Sequence, residues 1–278
     1  MRTRREVLAT SGAAALASLW PPIAAAAPKA ELWPRWQAHD RASTIVIDHA
    51  VWRQILATHL RLGPDGVSRF AYGRLSPIEK AAVASYIDAL AKAPMSRLSR
   101  PEQLALWINL YNALTVKIVL DHYPVKSIRD INISPGLFSI GPWGRKLIKI
   151  EGEDLSLDDI EHRILRPIGR DPRIHYAVNC ASIGCPNLAA EPYTGVSVDR
   201  LLSEGARAYV NHARGARVDG GRLVVSSIYV WFKEDFGGDD AGVIEHLRRY
   251  AAPALAEQLA NAARIADDAY DWTLNDAP

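Results

Sequence analysis

Sulfur is scarce in this sequence. Of 278 residues, two are cysteine and two methionine. The cysteines, Cys180 and Cys185, are five positions apart. That spacing is neither the C-x2-C pair usual in structural zinc sites nor the C-x-x-C redox motif. Phenylalanine is also rare, with four residues against eight Trp and ten Tyr. This bias toward polar aromatics suits the half-buried walls of a cleft. Net charge is nearly absent. Lys and Arg number 33, Asp and Glu 31, and residues 1–26 hold three of the arginines and one glutamate. The remainder carries 30 of each, which gives no electrostatic case for nucleic acid or an anionic membrane as partner. Beyond the first 26 residues there is no membrane-spanning run, internal repeat or long linker.

The start reads as an export signal. Thr3-Arg4-Arg5-Glu6-Val7-Leu8 is a twin-arginine pattern, followed by an apolar run from Ala9 to Leu19 and a small-residue cleavage site at Ala24-Ala25-Ala26. The expectation is a signal over 1–26, a lead-in over 27–47 and a globular domain over 48–276. The twin-arginine export machinery is then a partner, and the mature protein is periplasmic or secreted, where disulfides are permitted.

Along the domain, helical periodicity predicts a helix from Asp48 to Leu60. Ser76-Pro77-Ile78-Glu79 is a capping box opening a second helix. Ser99-Arg-Pro-Glu102 reads as another, opening the strongest helix, Pro101 to His122. Asn109 and Asn112 lie on one side of it. Asparagine is a poor interior helix residue, so two suggest a task, such as binding a buried loop or substrate; Tyr111 lies beside them. A strand is predicted at Lys146–Ile150 and a short helix after Ser156. Arg173–Val178 alternates and reads as a strand running into the cysteine loop. Ser197 opens a helix, Arg217–Ser226 a hairpin, and Ile228–Phe232 a further strand. Helices are predicted at Val243–Tyr250 and Pro253–Arg264, and an extended end at Ala269–Leu274. The fold class predicted is α+β: a single globular domain, helical in its N-terminal half, with a small mixed or antiparallel sheet packed against helices.

Chemistry concentrates in His175-Tyr-Ala-Val-Asn-Cys-Ala-Ser-Ile-Gly-Cys-Pro-Asn-Leu188. The two cysteines admit a local disulfide, a nucleophilic thiolate, or a metal site completed by His162 or His175. A nucleophile needs a base within hydrogen-bond reach. In a continuous strand His175 would sit about 16 Å from Cys180, so His162 is the preferred base, with Glu161 or Asp158 orienting it. Asn179 can donate an amide to an oxyanion. Trp231 and Asp235 form an acidic-aromatic cluster, read as substrate-binding. No cofactor or metal is expected.

Five blocks occur in order: Trp107-Ile-Asn-Leu-Tyr-Asn-Ala-Leu-Thr115, Leu157-Asp-Asp-Ile-Glu-His162, Asp171-Pro-Arg-Ile-His175 into Asn179-Cys180 through Cys185-Pro186, Trp231-Phe-Lys-Glu-Asp-Phe236, and Tyr270-Asp-Trp272. In these the chain resembles the family called domain of unknown function 547, over roughly Trp52 to Asn275. The resemblance implies an α+β fold and, because some members are fused to glutaredoxin-like domains, thiol chemistry. It also implies that the Cys180 position is the steadier of the two. The resulting expectation is an exported cysteine-dependent hydrolase or acyl or peptidyl transferase. The alternative is a non-catalytic binding protein for a small molecule or peptide, with the cysteines locked as a disulfide.

Overall fold

The computed structural model describes residues 28–136 and 139–277; the export signal predicted over residues 1–26 lies outside them. At the centre is α3, Arg100–His122. It is long and apolar enough to span a membrane, but it lies inside the fold, where 89% of its most apolar window is buried. Leu106, Ile108, Leu110 and Ala113 are fully covered, on several sides of the helix. A helix apolar all round belongs inside a core. Helices α1 (Ala50–His59) and α2 (Pro77–Ala91) pack outside it. The Ser76 capping box forms as predicted, with Ser76 Oγ accepting from Glu79 N–H and the Glu79 carboxylate accepting from Ser76 N–H.

The box at Ser99 does not form. Glu102 turns away from Ser99 and accepts from the N–H groups of Ile47 and Gly195, at 2.8 Å each. Two approaching loops present backbone donors there, and satisfying buried donors outweighs an end-cap that water can replace.

Among the described residues, three small sheets complete the α+β domain. Strands β1 (Leu60–Leu62) and β2 (Ser68–Phe70) form a hairpin around the predicted Gly63–Gly66 turn. Strands β3 (Ile148–Ile150) and β4 (Glu153–Leu155) form a second. A π-helical segment, Asp159–Leu165, then runs into α4, Arg166–Gly169. Helix α5 is Val198–Val210. The third sheet pairs β5 (Ala216–Asp219) with β6 (Arg222–Ser226) antiparallel, and β6 with β7 (Ile265–Ala269) parallel. Helices α6 (Ser227–Trp231), α7 (Asp240–Tyr250) and α8 (Pro253–Ala260) surround it. One hydrophobic cluster surrounds α3; a second, around Tyr209, Tyr229, Phe236 and Leu247, fills the space between α5, α7 and the third sheet.

Two predicted strands are helical. Pro172–Tyr176 is a 3-10 turn, because the Asp171 carboxylate accepts from Arg173 N–H and Pro172 fixes a helical φ at the first position. Ile228–Phe232 lies mostly in α6, where Ser226 Oγ accepts from Ile228 N–H. In both places a cap overrides an alternating pattern. Helix α8 also stops at Ala260, short of Arg264, and Ile265–Ala269 becomes a strand whose acidic sequence shows no strand pattern.

Candidate functional site: a dithiol loop and a separate imidazole cluster

The cysteine loop leaves the 3-10 turn and is held from three directions. From α3, Asn112 donates through Nδ2 to Ala177 C=O and accepts through Oδ1 from Asn179 N–H, both at 2.9 Å. Asn179 in turn accepts from Ala181 N–H at 2.8 Å and donates to Pro186 C=O at 2.7 Å, closing the loop on itself. Ala181, at φ 57°, occupies the left-handed region that a residue with a Cβ seldom adopts. From the C-terminal strap, Thr273 and Asp271 carbonyls accept from Ile183 and Gly184 N–H, at 2.8 Å each. From the α5 side, Tyr209 Oη donates to Gly184 C=O, and Arg214 donates to Ile183 C=O.

This framework folds Cys185 back onto Cys180. Both are free thiols, with Sγ atoms 2.9 Å apart. Cys180 N–H donates to Cys185 Sγ at 3.0 Å. Cys180 Sγ also lies 3.0 Å from Tyr270 Oη and 3.2 Å from Ser182 Oγ, and those hydroxyls are 2.9 Å apart. Cys185 is buried; Cys180 is half-buried, the more exposed residue of the two. Burial alone would push the Cys185 thiol up. The S–H and N–H of Cys180, the Tyr270 hydroxyl and the Arg214 charge outweigh it and hold Cys185 below the usual thiol range. Cys180 lies well above that range, because it donates to Cys185, is desolvated, and would add a second negative charge. The pair therefore loses its first proton readily and its second with difficulty. Burial and the two sulfurs push the Tyr270 phenol well up, so it remains a donor.

The histidines expected to serve this thiol are bonded elsewhere. Among the described residues neither imidazole is hydrogen-bonded to a sulfur. His175 Nε2 lies 2.7 Å from Asp235 Oδ2, and its ring stacks on Phe232 with centroids 4.4 Å apart. His162 Nδ1 accepts from the buried Arg166 guanidinium at 3.1 Å, and burial pushes this imidazole's pKa down. Arg166 Nε donates to Asp235 Oδ2 at 2.5 Å. Burial alone would raise the Asp235 carboxyl, but hydrogen bonds from His175 and Arg166 bring it to about 2. Glu161 sits between the rings, its Oε1 4.0 Å from His162 Nδ1 and 3.9 Å from His175 Nδ1. Burial, then the Glu161 carboxylate, raise the Tyr111 phenol. Arg166 and Asp235 of this cluster line a cleft of about 410 Å³ whose other walls include Arg170, Glu234 and Leu32. Among the described residues no group of three or more His, Cys, Asp or Glu is arranged to hold a metal ion.

The structure thus divides the predicted residues. Cys180, Cys185 and Asn179 meet in one loop, and Glu161, His162, His175 and Asp235 meet in another place. Asn109, like Asn112, binds backbone, accepting from Tyr193 N–H and donating to Tyr193 C=O. Trp231 parts from Asp235 and joins Tyr270 and Trp272, at centroid distances of 4.8 and 5.6 Å. Asp271 is exposed and accepts from Thr273 N–H.

Residues 95–210 match the model of a family described as "Protein of unknown function, DUF547". No curated protein and no solved structure matches the chain. The DUF547 stretch contains Asn112, Glu161, His162 and the whole cysteine loop. Tyr270, Arg214, Trp231 and Asp235 fall outside it, so each centre is completed by side chains beyond the matched residues. Sequence reasoning missed Tyr270, Ser182, Arg214 and Arg166 as parts of these centres. Tyr270 and Ser182 stand within motif blocks and could have been weighed. Nothing local marks either arginine.

Proposed function

We propose that this chain is an exported thiol–disulfide protein in which Cys180 and Cys185 cycle between dithiol and disulfide. The observation that carries the reading is the pair of free sulfurs in contact at 2.9 Å, one on a buried residue and one on a half-buried residue. The co-reactant is a disulfide, R–S–S–R. In the half-ionised pair the proton on Cys180 passes to the Cys185 thiolate, and the resulting Cys180 thiolate attacks one sulfur of R–S–S–R, expelling RS⁻. Cys185 then attacks Cys180 Sγ, its proton leaves with one of the departing thiolates, and the second RS⁻ is released. The external disulfide gains two electrons and the pair loses two.

The acyl-transfer reading is less well supported. It would need an imidazole at the sulfur and free amide donors for an oxyanion, whereas the imidazoles bind Asp235 and Arg166 and the amides of Asn112 and Asn179 bind backbone. The reading of the cysteines as a permanent structural disulfide separates from ours by redox titration. Mature protein is equilibrated in glutathione buffers of graded potential, trapped by alkylation and weighed. A two-hydrogen mass loss that reverses within the buffered range supports the proposal. A bond that resists reduction throughout, or two thiols that never join, overturns it.

A further inference from the structure

We propose that Tyr270, with Ser182, makes Cys180 rather than Cys185 the attacking sulfur of the pair. The inference rests on the redox reading above and assigns a role to a residue far from the cysteines in sequence. The negative charge of the half-ionised pair has two possible seats. On Cys185 it is buried and cannot reach an external disulfide. On Cys180, the more exposed of the two residues, Tyr270 Oη at 3.0 Å and Ser182 Oγ at 3.2 Å converge on the sulfur. Hydrogen bonds to an ionised acceptor are stronger than neutral ones, so both hydroxyls lower the cost of moving the charge from Cys185, where it rests, to Cys180. The phenol is held in place independently of the sulfur. Its ring packs on Trp231 and Trp272 at centroid distances of 4.8 and 4.7 Å, and Asp271 beside it is tied to Gly184. It is therefore a donor fixed before the charge develops.

The test is Tyr270→Phe, which keeps the ring and its packing and removes only the hydroxyl. The pH dependence of iodoacetamide alkylation is followed with each cysteine resolved by mass, in the full dithiol protein and in a Cys185→Ser background. The expected result is a fall of about tenfold or more in Cys180 alkylation near neutral pH, with the profile moved to higher pH, and a smaller effect in the same direction for Ser182→Ala. An unchanged profile in Tyr270→Phe overturns the inference. If the variant has altered near-UV circular dichroism, Ser182→Ala decides instead, and an unchanged profile there is equally fatal. Because reversible disulfide formation is measured separately, failure of this inference leaves the redox reading standing, and failure of the redox titration is recognised as such.

Discussion

Replacing Asn112 with alanine would remove the only side chain of α3 that binds the backbone of the cysteine loop. Asn112 is 2% exposed, and its amide satisfies two buried groups, Ala177 C=O and Asn179 N–H. A buried group left without a partner costs about 1–3 kcal/mol, so two give about 2–6 kcal/mol, with about 3 expected if water enters the vacated space. Guanidinium unfolding followed by far-UV circular dichroism measures the loss. Asn109→Ala is the control. It also removes two buried backbone bonds, but both are to Tyr193, away from the sulfurs. Both variants should be destabilised, and only Asn112→Ala should speed alkylation of the cysteines, through a loosened loop. A loss below about 1 kcal/mol for Asn112→Ala would refute the claim that α3 holds the loop. Equal thiol exposure in the two variants would refute the claim that the effect is local.

His246 and Gly184 offer two further tests. Burial, then the charge of Arg249, lowers the His246 pKa to about 4, and Tyr176 Oη lies 2.8 Å from its Nε2. The unfolded chain binds this proton near pH 6.5, so the contribution is full above pH 6.5 and is lost as pH falls toward 4, up to about 3 kcal/mol in all. Urea unfolding at pH 7 and pH 4.5 should show that loss, and His246→Phe should reduce it. A Cβ at Gly184 would lie 2.7 Å from Asp271 N and 2.9 Å from Asp271 O, both backbone atoms. Gly184→Ala should therefore push the C-terminal strap outward, lowering thermal stability by about 1–3 kcal/mol and weakening the Tyr270 contact with Cys180; an unchanged melting temperature would contradict this.

Where local chemistry suffices, the sequence by itself determined the element. The Ser76 cap starts α2 because its partner, Glu79, is three residues away. Apolar spacing marks α3 because a helix must bury that surface whatever its neighbours are. The cysteine loop could be located because Gly and Pro bracket Cys185, and the two asparagines of α3 could be singled out because an amide inside a helix needs a reason. Only the tertiary structure decided what those residues meet. His175 faces Asp235 instead of sulfur because the predicted strand is a capped 3-10 turn, and a turn of that kind aims its side chains differently. Tyr270 reaches Cys180 from 90 positions away in the sequence, held by a strap whose backbone pairs with the loop. Strand β7 exists because β6 offers it a parallel partner, which its own acidic sequence cannot signal. Contacts of that range depend on how separate elements pack, and no local pattern encodes them.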